Sequence, residues 1–180
     1  FSCLAPSGLM SNNVTTNSAD VSWTPGGAET EWLLVVNGTS TVETASTVSL
    51  TGLSANTAYT CEVYAICGVG DTSVVSSPYA FNTLCDVAIA PTNENFDAGF
   101  SNCWTQDTAD VFDWSLRSGS TPSGGTGPTD DFTGGGNYMY TETSLPRAHG
   151  DSAIMHSEEI DISGLTNAEL RFLSQMYGDA

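Results

Sequence analysis

The first ninety residues alternate apolar and polar positions in short runs. Ala19-Asp20-Val21-Ser22-Trp23-Thr24 repeats with period two, the pattern of a strand that buries one face. Pro25-Gly26-Gly27 ends it, since proline supplies no ladder donor and glycine weakens extended structure. Glu31-Trp32-Leu33-Leu34-Val35-Val36 predicts a second strand, stopped by Asn37-Gly38, a pair suited to tight turns. A third strand is predicted at about 46–51, followed by a turn over 52–56. The longest predicted strand covers 57–67, and a last one at about 78–84 ends near Cys85. Strands this short and evenly spaced predict a β-sandwich.

Past Cys85 the alternation fades. Pro91 and its polar neighbours predict a short linker, so two domains are expected, residues 1–85 and 91–180. The length of 180 residues allows one large or two small domains. Hydrophobic residues at 39%, with 18 Gly and many Ser and Thr, favour strands and turns over helices.

Charge narrows the partners. There are 21 Asp plus Glu against 3 Arg, no lysine, and a formal net charge of -18. Residues 1–90 hold seven acids and no base; the remainder holds fourteen acids and all three arginines. Such a surface repels phosphate backbones and anionic lipid, which excludes nucleic-acid binding. Self-repulsion on this scale calls for screening by salt or bound cations and points to a saline setting. No run approaches the ~20 apolar residues of a membrane span, so membrane insertion is not expected. No basic-then-apolar leader opens the chain, which reads as a mature piece of a longer protein.

Five cysteines stand at 3, 61, 67, 85 and 103, with no Cys-x-x-Cys pair. Disulfides of an exported protein fit this better than a zinc or redox motif. Cys61 and Cys67 would lie roughly 20 Å apart on one intact strand, at about 3.3 Å per residue. That excludes a bond between them, because bonded cysteines need Cα atoms within about 7 Å. The count is odd, and Cys61 shares a strand face with Tyr59 and Val63, so it is expected to be a buried free thiol.

Trp23 on an early strand, then Leu50-x-Gly52-Leu53 and Thr57-x-Tyr59-x-x-x-Val63-x-Ala65, resembles the fibronectin type III pattern over residues 3–84. The resemblance implies a leucine plugging the core and a tyrosine closing the corner before the sixth strand. It also implies that Cys67, at the end of that strand, lies at the same pole as the N-terminus, which predicts a Cys3–Cys67 disulfide. Such modules act as spacers or binding surfaces. No Arg-Gly-Asp tripeptide is present to suggest an integrin ligand.

A second ordered set begins at Glu94-Asn95-Phe96-Asp97-Ala98-Gly99-Phe100 and Cys103-Trp104-Thr105-Gln106. Phe112-Asp113-Trp114 and the glycine-rich stretch from Thr126 to Tyr140 follow. Ala153 to Ser157, Leu170-Arg171-Phe172 and Met176-Tyr177-Gly178 complete the set. In that order it resembles the MAM family over 94–178, which implies a jelly-roll-like β-sandwich of extracellular adhesion and receptor proteins. Phe132 stands where the family often has His, and Gly135 where an acid is common. Family members continue past Met176-Tyr177-Gly178, so the second sandwich is expected to be incomplete at its C-terminus. Cys85 and Cys103 resemble the first cysteine pair of MAM modules, implying a Cys85–Cys103 disulfide.

The same resemblance implies a structural cation. Asp97 and Asp131 match an acid beside the opening Phe and an acid in the glycine-rich loop, and Asp130 could substitute for Asp131. Calcium takes six to eight oxygens and tolerates irregular loops, and 129–137 supplies carboxylates, hydroxyls and carbonyls. The plainer alternative is that these acids are turn residues, since Asp and Gly dominate turns.

Other chemistry is thin. Glu158, Glu159 and Asp161 read as a solvated strand end rather than paired catalytic carboxylates. His149 and His156 are the only histidines, and neither a His-Glu-x-x-His helix nor a Gly-x-Ser-x-Gly elbow occurs. Trp32, Trp104, Trp114, Tyr138 and Tyr140 could stack on sugars, though sandwich aromatics are more often core. Asn13-Val14-Thr15 and Asn37-Gly38-Thr39 are glycosylation sequons.

The expectation is a non-catalytic adhesion or structural module of a secreted or cell-surface protein. Its partners would be other protein domains or surface ligands, with glycans or self-assembly as further options. Tandem modules of this acidity resemble secreted multidomain proteins of marine Bacteroidetes-type bacteria. The alternatives are an accessory region of an exported hydrolase such as a peptidase, its catalytic domain elsewhere in the parent chain, or a carbohydrate-binding module.

Overall fold

A computed structural model describes residues 3–176. Every regular element among them is a β-strand. The chain forms two compact units, Phe1–Asp86 and Val87–Ala180.

In the first unit, β1 (Ser7–Asn12), β2 (Ser18–Thr24) and β5 (Thr47–Thr51) make one antiparallel sheet in the order β1-β2-β5. The facing sheet is centred on β3 (Trp32–Val36) and β6 (Ala58–Gly68). β4 (Thr39–Glu43) pairs with β3, while β7 (Asp71–Thr72) and β8 (Tyr79–Asn82) both pair with β6. Strand alternation becomes burial directly. Ala19, Val21 and Trp23 of β2 meet Trp32 and Leu34 of β3 and Cys61, Val63 and Ala65 of β6 in one core. Each fully buried Val or Leu contributes roughly 1.5–3 kcal/mol relative to an exposed one. Trp23 and Trp32 meet edge to face at 5.9 Å.

The turns of this unit are pinned by local chemistry. Asn37 occupies the left-handed region at φ 46°, as its tight turn requires. Its side chain bonds the backbone of β6, accepting from the Thr60 amide at 2.8 Å and donating to the Ala58 carbonyl at 3.3 Å. The Tyr59 hydroxyl accepts from the Ser54 amide at 2.9 Å, which closes the turn before β6. Cys3 and Cys67 form the expected disulfide, with Cα atoms 5.8 Å apart, and Cys61 is a buried free thiol.

Three strands here depart from the sequence expectation. β4 reads Thr-Ser-Thr-Val-Glu and is almost wholly exposed, because it is a sheet edge with no buried face to impose alternation. β1 carries a register shift between Ser7 and Met10 with Gly8 at φ +62°, which breaks its period. β7 is two residues long. Between β7 and β8 the ladder on β6 is continued by hydroxyls. Ser73 Oγ accepts from the Ala65 amide and Ser76 Oγ from the Val63 amide, both at 2.9 Å.

Among the described residues, the second unit holds three two-stranded ladders. β9 (Ala88–Ile89) runs parallel to β14 (Ile160–Asp161). β10 (Thr105–Gln106) pairs with β13 (Met155–His156), and β11 (Ser115–Arg117) with β12 (Tyr138–Tyr140). Side chains stitch the loops between them. Gln106 brackets the Trp114 backbone, accepting from its amide at 3.2 Å and donating to its carbonyl at 2.7 Å. The Trp114 indole donates to the Ala153 carbonyl at 2.9 Å. The expected linker before Pro91 is corrected in part, since Ala88 and Ile89 are laddered. A two-residue strand has no period, and its partner lies some seventy positions away. Tyr177 and Gly178 of the closing motif lie outside the described residues.

Candidate cation site

Asp97 sits in a turn held by its own sequence neighbours. Phe96 adopts φ 61° and packs edge-on against Trp104 at 5.1 Å. The Asp97 amide donates to Asn95 Oδ1 at 3.1 Å, while Asn95 Nδ2 donates to Asp97 Oδ2 at 2.7 Å. The opening Glu-Asn-Phe-Asp motif thus folds on itself and presents the second carboxylate oxygen outward.

The glycine-rich loop closes on that oxygen. Gly134 and Gly135 take φ values of 84° and 94°, which turn successive amides inward and would strain any other residue. Asp131 Oδ1 accepts from the Gly136 amide at 2.9 Å. Asp131 Oδ2 accepts from the Thr133 amide at 2.9 Å and from the Thr133 hydroxyl. The Asn137 amide donates to Asp97 Oδ1 at 2.9 Å, and Asn137 Nδ2 to the Asp97 carbonyl at 3.1 Å. The Thr133 hydroxyl and the Gly136 amide hold the Asp131 carboxyl down to a pKa of about 2, so it is ionised throughout the physiological range.

Gly136 is where the two acids meet. A Cβ there would stand 1.8 Å from Asp97 Oδ1 and 3.0 Å from Asp131 Oδ2. Those two oxygens are therefore at most about 5 Å apart, near enough for one calcium ion to touch both. Asp130 lies beside them but turns into its own loop. It accepts from the Asp131 amide at 3.0 Å and the Gly135 amide at 2.8 Å. Among the described residues no group of three acids, histidines or cysteines converges. The donor set fits a cation held by two carboxylates with loop carbonyls and water completing the shell. It equally serves as an amide-neutralised turn. Sequence reasoning missed Asn95, Gly136 and Asn137, although each fixes this geometry. Asn95 is visible only as a neighbour of Asp97, and the other two are some forty positions away.

The remaining candidates are dispersed. Trp32 is in the core of the first unit, so the five-aromatic sugar platform does not form as a set. Trp104 packs on Phe96. Tyr138 donates to the Gly119 carbonyl at 2.7 Å, and the Tyr140 hydroxyl bonds Glu142 at 3.4 Å. His156 pairs with Asp107 at 3.1 Å on the surface, and among the described residues no nucleophile is bonded to it. Asp161 accepts from the Ser163 amide at 2.8 Å as a turn residue. Cys85 and Cys103 are both disulfide-bonded.

Comparison with known proteins places two modules on this frame. Residues 4–81 match the fibronectin type III domain, and residues 95–180 match the MAM domain, meprin/A5/mu. The chain is 33% identical over 128 residues to the human MAM domain-containing glycosylphosphatidylinositol anchor protein 2, covering 62% of this chain and 13% of that protein. It is 38% identical over 96 residues to the mouse protein of the same name, covering 46% and 10%. The chain therefore spans a small part of these relatives. They are animal proteins and lend no support to the bacterial attribution. Among solved structures, the FN3 domain of human collagen XX is similar at 27% identity and a TM-score of 0.38, over 44% of this chain and 91% of that one. Both matched families are typically extracellular, non-catalytic modules that contact other proteins. Among the described residues no helix is long and apolar enough to cross a membrane.

Proposed function

We propose that the chain is an adhesive or structural segment of a secreted or cell-surface protein and acts without catalysing a reaction. The observation that carries this reading is the tandem of two extracellular-type modules, in a chain whose cysteines are oxidised except for one buried thiol. Pairing of Cys85 with Cys103 belongs to the same reading. So does a calcium ion between Asp97 and Asp131, supported by the approach of their carboxylates at Gly136. Calcium would neutralise the two charges and stiffen the glycine-rich loop, leaving loops and sheet edges to present a binding surface.

The test is retention of beads coated with the 180-residue chain on cultured animal cells under flow at physiological salt. Retention above that of beads carrying an unrelated acidic protein is expected. Equal retention of the two bead types sinks the adhesive reading.

A further inference from the structure

Two Asn-x-Thr sequons lie in the first unit, Asn13-Val14-Thr15 and Asn37-Gly38-Thr39. By sequence they are equivalent, since each has the acceptor asparagine, a middle residue other than proline and a hydroxyl two positions on. Both asparagines are exposed, and both link strands with φ above zero, 49° at Asn13 and 46° at Asn37. What separates them is how each side-chain amide is already used.

The Asn37 amide is held at both ends by one strand. Its Oδ1 accepts from the Thr60 amide at 2.8 Å, and its Nδ2 donates to the Ala58 carbonyl at 3.3 Å. Residues 58 and 60 are alternate positions of β6, so their backbone groups face the same edge. For one planar amide to meet two groups on one edge, the Nδ2 hydrogen it uses is the one cis to Oδ1. An N-linked sugar takes that same position, because a substituted amide is trans and its substituent lies on the oxygen side. A sugar on Asn37 would therefore remove the bond to Ala58 and press against the β6 backbone. The Asn37 main-chain amide also donates to the Thr60 carbonyl, at 3.0 Å, which holds the residue close to that strand.

Asn13 follows the last residue of β1, and its Nδ2 donates to Asp20 Oδ2 at 2.8 Å. That partner is a surface side chain, which can rotate away and keeps Ser49 Oγ as a donor to its other oxygen. The connection to β2 is fixed by other groups. The Thr15 amide donates to the Ser18 carbonyl at 2.8 Å, the Leu84 amide to the Thr15 carbonyl at 3.0 Å, and the Ser18 amide to Thr15 Oγ1 at 2.9 Å. The connection therefore keeps its shape when Asn13 bears a substituent. The bonded Thr15 hydroxyl also sets the order of events, since a transferase that reads this hydroxyl acts before the connection closes. The Cys3–Cys67 bond and the oxidised Cys85 and Cys103 fit passage through an oxidising export compartment.

We propose that Asn13 carries an N-linked oligosaccharide in the secreted protein and that Asn37 carries none. In the transfer, Asn13 Nδ2 forms a bond to C1 of an oligosaccharide donated by a lipid pyrophosphate. The bond from C1 to the pyrophosphate oxygen breaks, the lipid pyrophosphate leaves with the electron pair, and the amide proton passes to the transferring enzyme. The sugar covers the connection between β1 and β2 with bulky, hydrated surface. This rests on the secreted part of the proposed function and not on adhesion.

The test is the 180-residue chain secreted from cultured animal cells behind a secretion leader. Its intact mass and its peptides are measured before and after an amidase that releases N-linked sugars. One glycan is expected, on the peptide that contains Asn13, with aspartate at position 13 after release. Asn13→Gln is expected to abolish it with an unchanged melt. Thr39→Ala destroys the second sequon while keeping Asn37 and its contacts, and is expected to leave the glycan in place. Secreted chain without sugar overturns the proposal, and so does sugar on Asn37, alone or together with Asn13. If Asn13→Gln is not secreted, the peptide map of the parent chain decides. The leader imposes secretion, so an unmodified chain in the medium defeats this proposal and leaves the adhesive reading to the bead experiment.

Discussion

Cys61 shows how one side chain's chemistry follows from strand phase. It points into the core between Tyr59 and Val63, with no measurable exposure, and burial pushes its thiol up to about 11. The thiolate is the reactive form, so the folded protein is expected to be inert to a thiol reagent at neutral pH. Denaturation without reductant is expected to release one titratable thiol per chain. Asp131 shows the opposite shift. Its folded value of about 2 lies below the ordinary 3.8, so the bonds from Thr133 and Gly136 stabilise the loop at every pH above the unfolded value. That contribution fades as pH falls from about 4 through about 2. A carboxyl titration by nuclear magnetic resonance is expected to give a midpoint near 2 for Asp131, with the amides of Thr133 and Gly136 moving in step.

At the scale of elements, the two sheets of the first unit meet through β6, and β6 depends on a splice. Where β7 and β8 leave a gap, Ser76 supplies the bond that a strand would have given to Val63, and it is 3% exposed. Ser76→Ala leaves a buried amide without that partner and is expected to destabilise the first unit by about 1–3 kcal/mol in denaturant melts. The glycine-rich loop depends on an absence. A methyl group at Gly136 would collide with Asp97, so Gly136→Ala is expected to separate the two carboxylates. If calcium binds there, the melting temperature rises with calcium relative to chelator at constant ionic strength, and Asp131→Ala or Gly136→Ala removes the rise. An unchanged melt in chelator sinks the cation site. Elements with a buried face were legible in the sequence: β2, β3, β5, β6 and β8 all sit where alternation places them. β1, β4 and β9 were not, because a bulge, an exposed edge and a two-residue ladder leave no period to read.

For the molecule as a whole, a net charge of -18 with no lysine is spread over both units rather than gathered at one site. Repulsion among exposed carboxylates is screened over roughly 8–10 Å at physiological ionic strength. The melting temperature is therefore expected to rise with added sodium chloride, and to rise similarly for Asp131→Ala, which separates general screening from calcium held at one place. The absence of such a rise would mean that the acids are already neutralised by their amide partners. The same charge makes a basic partner the natural complement and self-association costly.

Composition and strand alternation alone determined an all-β chain with a buried cysteine and an acidic exterior. These follow from period-two burial and from counting charges, and neither needs a long-range contact. The Cys3–Cys67 bond also became legible once the strand order was supplied by resemblance, because topology sets which chain ends share a pole. Only tertiary structure brought Asp97 to Asp131 across Gly136, set Asn137 on both sides of Asp97, and laid Ile89 beside Asp161. Each of these joins residues tens of positions apart through backbone turns with φ above zero or through two-residue ladders. Such contacts leave no periodic trace in sequence, since no local pattern has to change to create them.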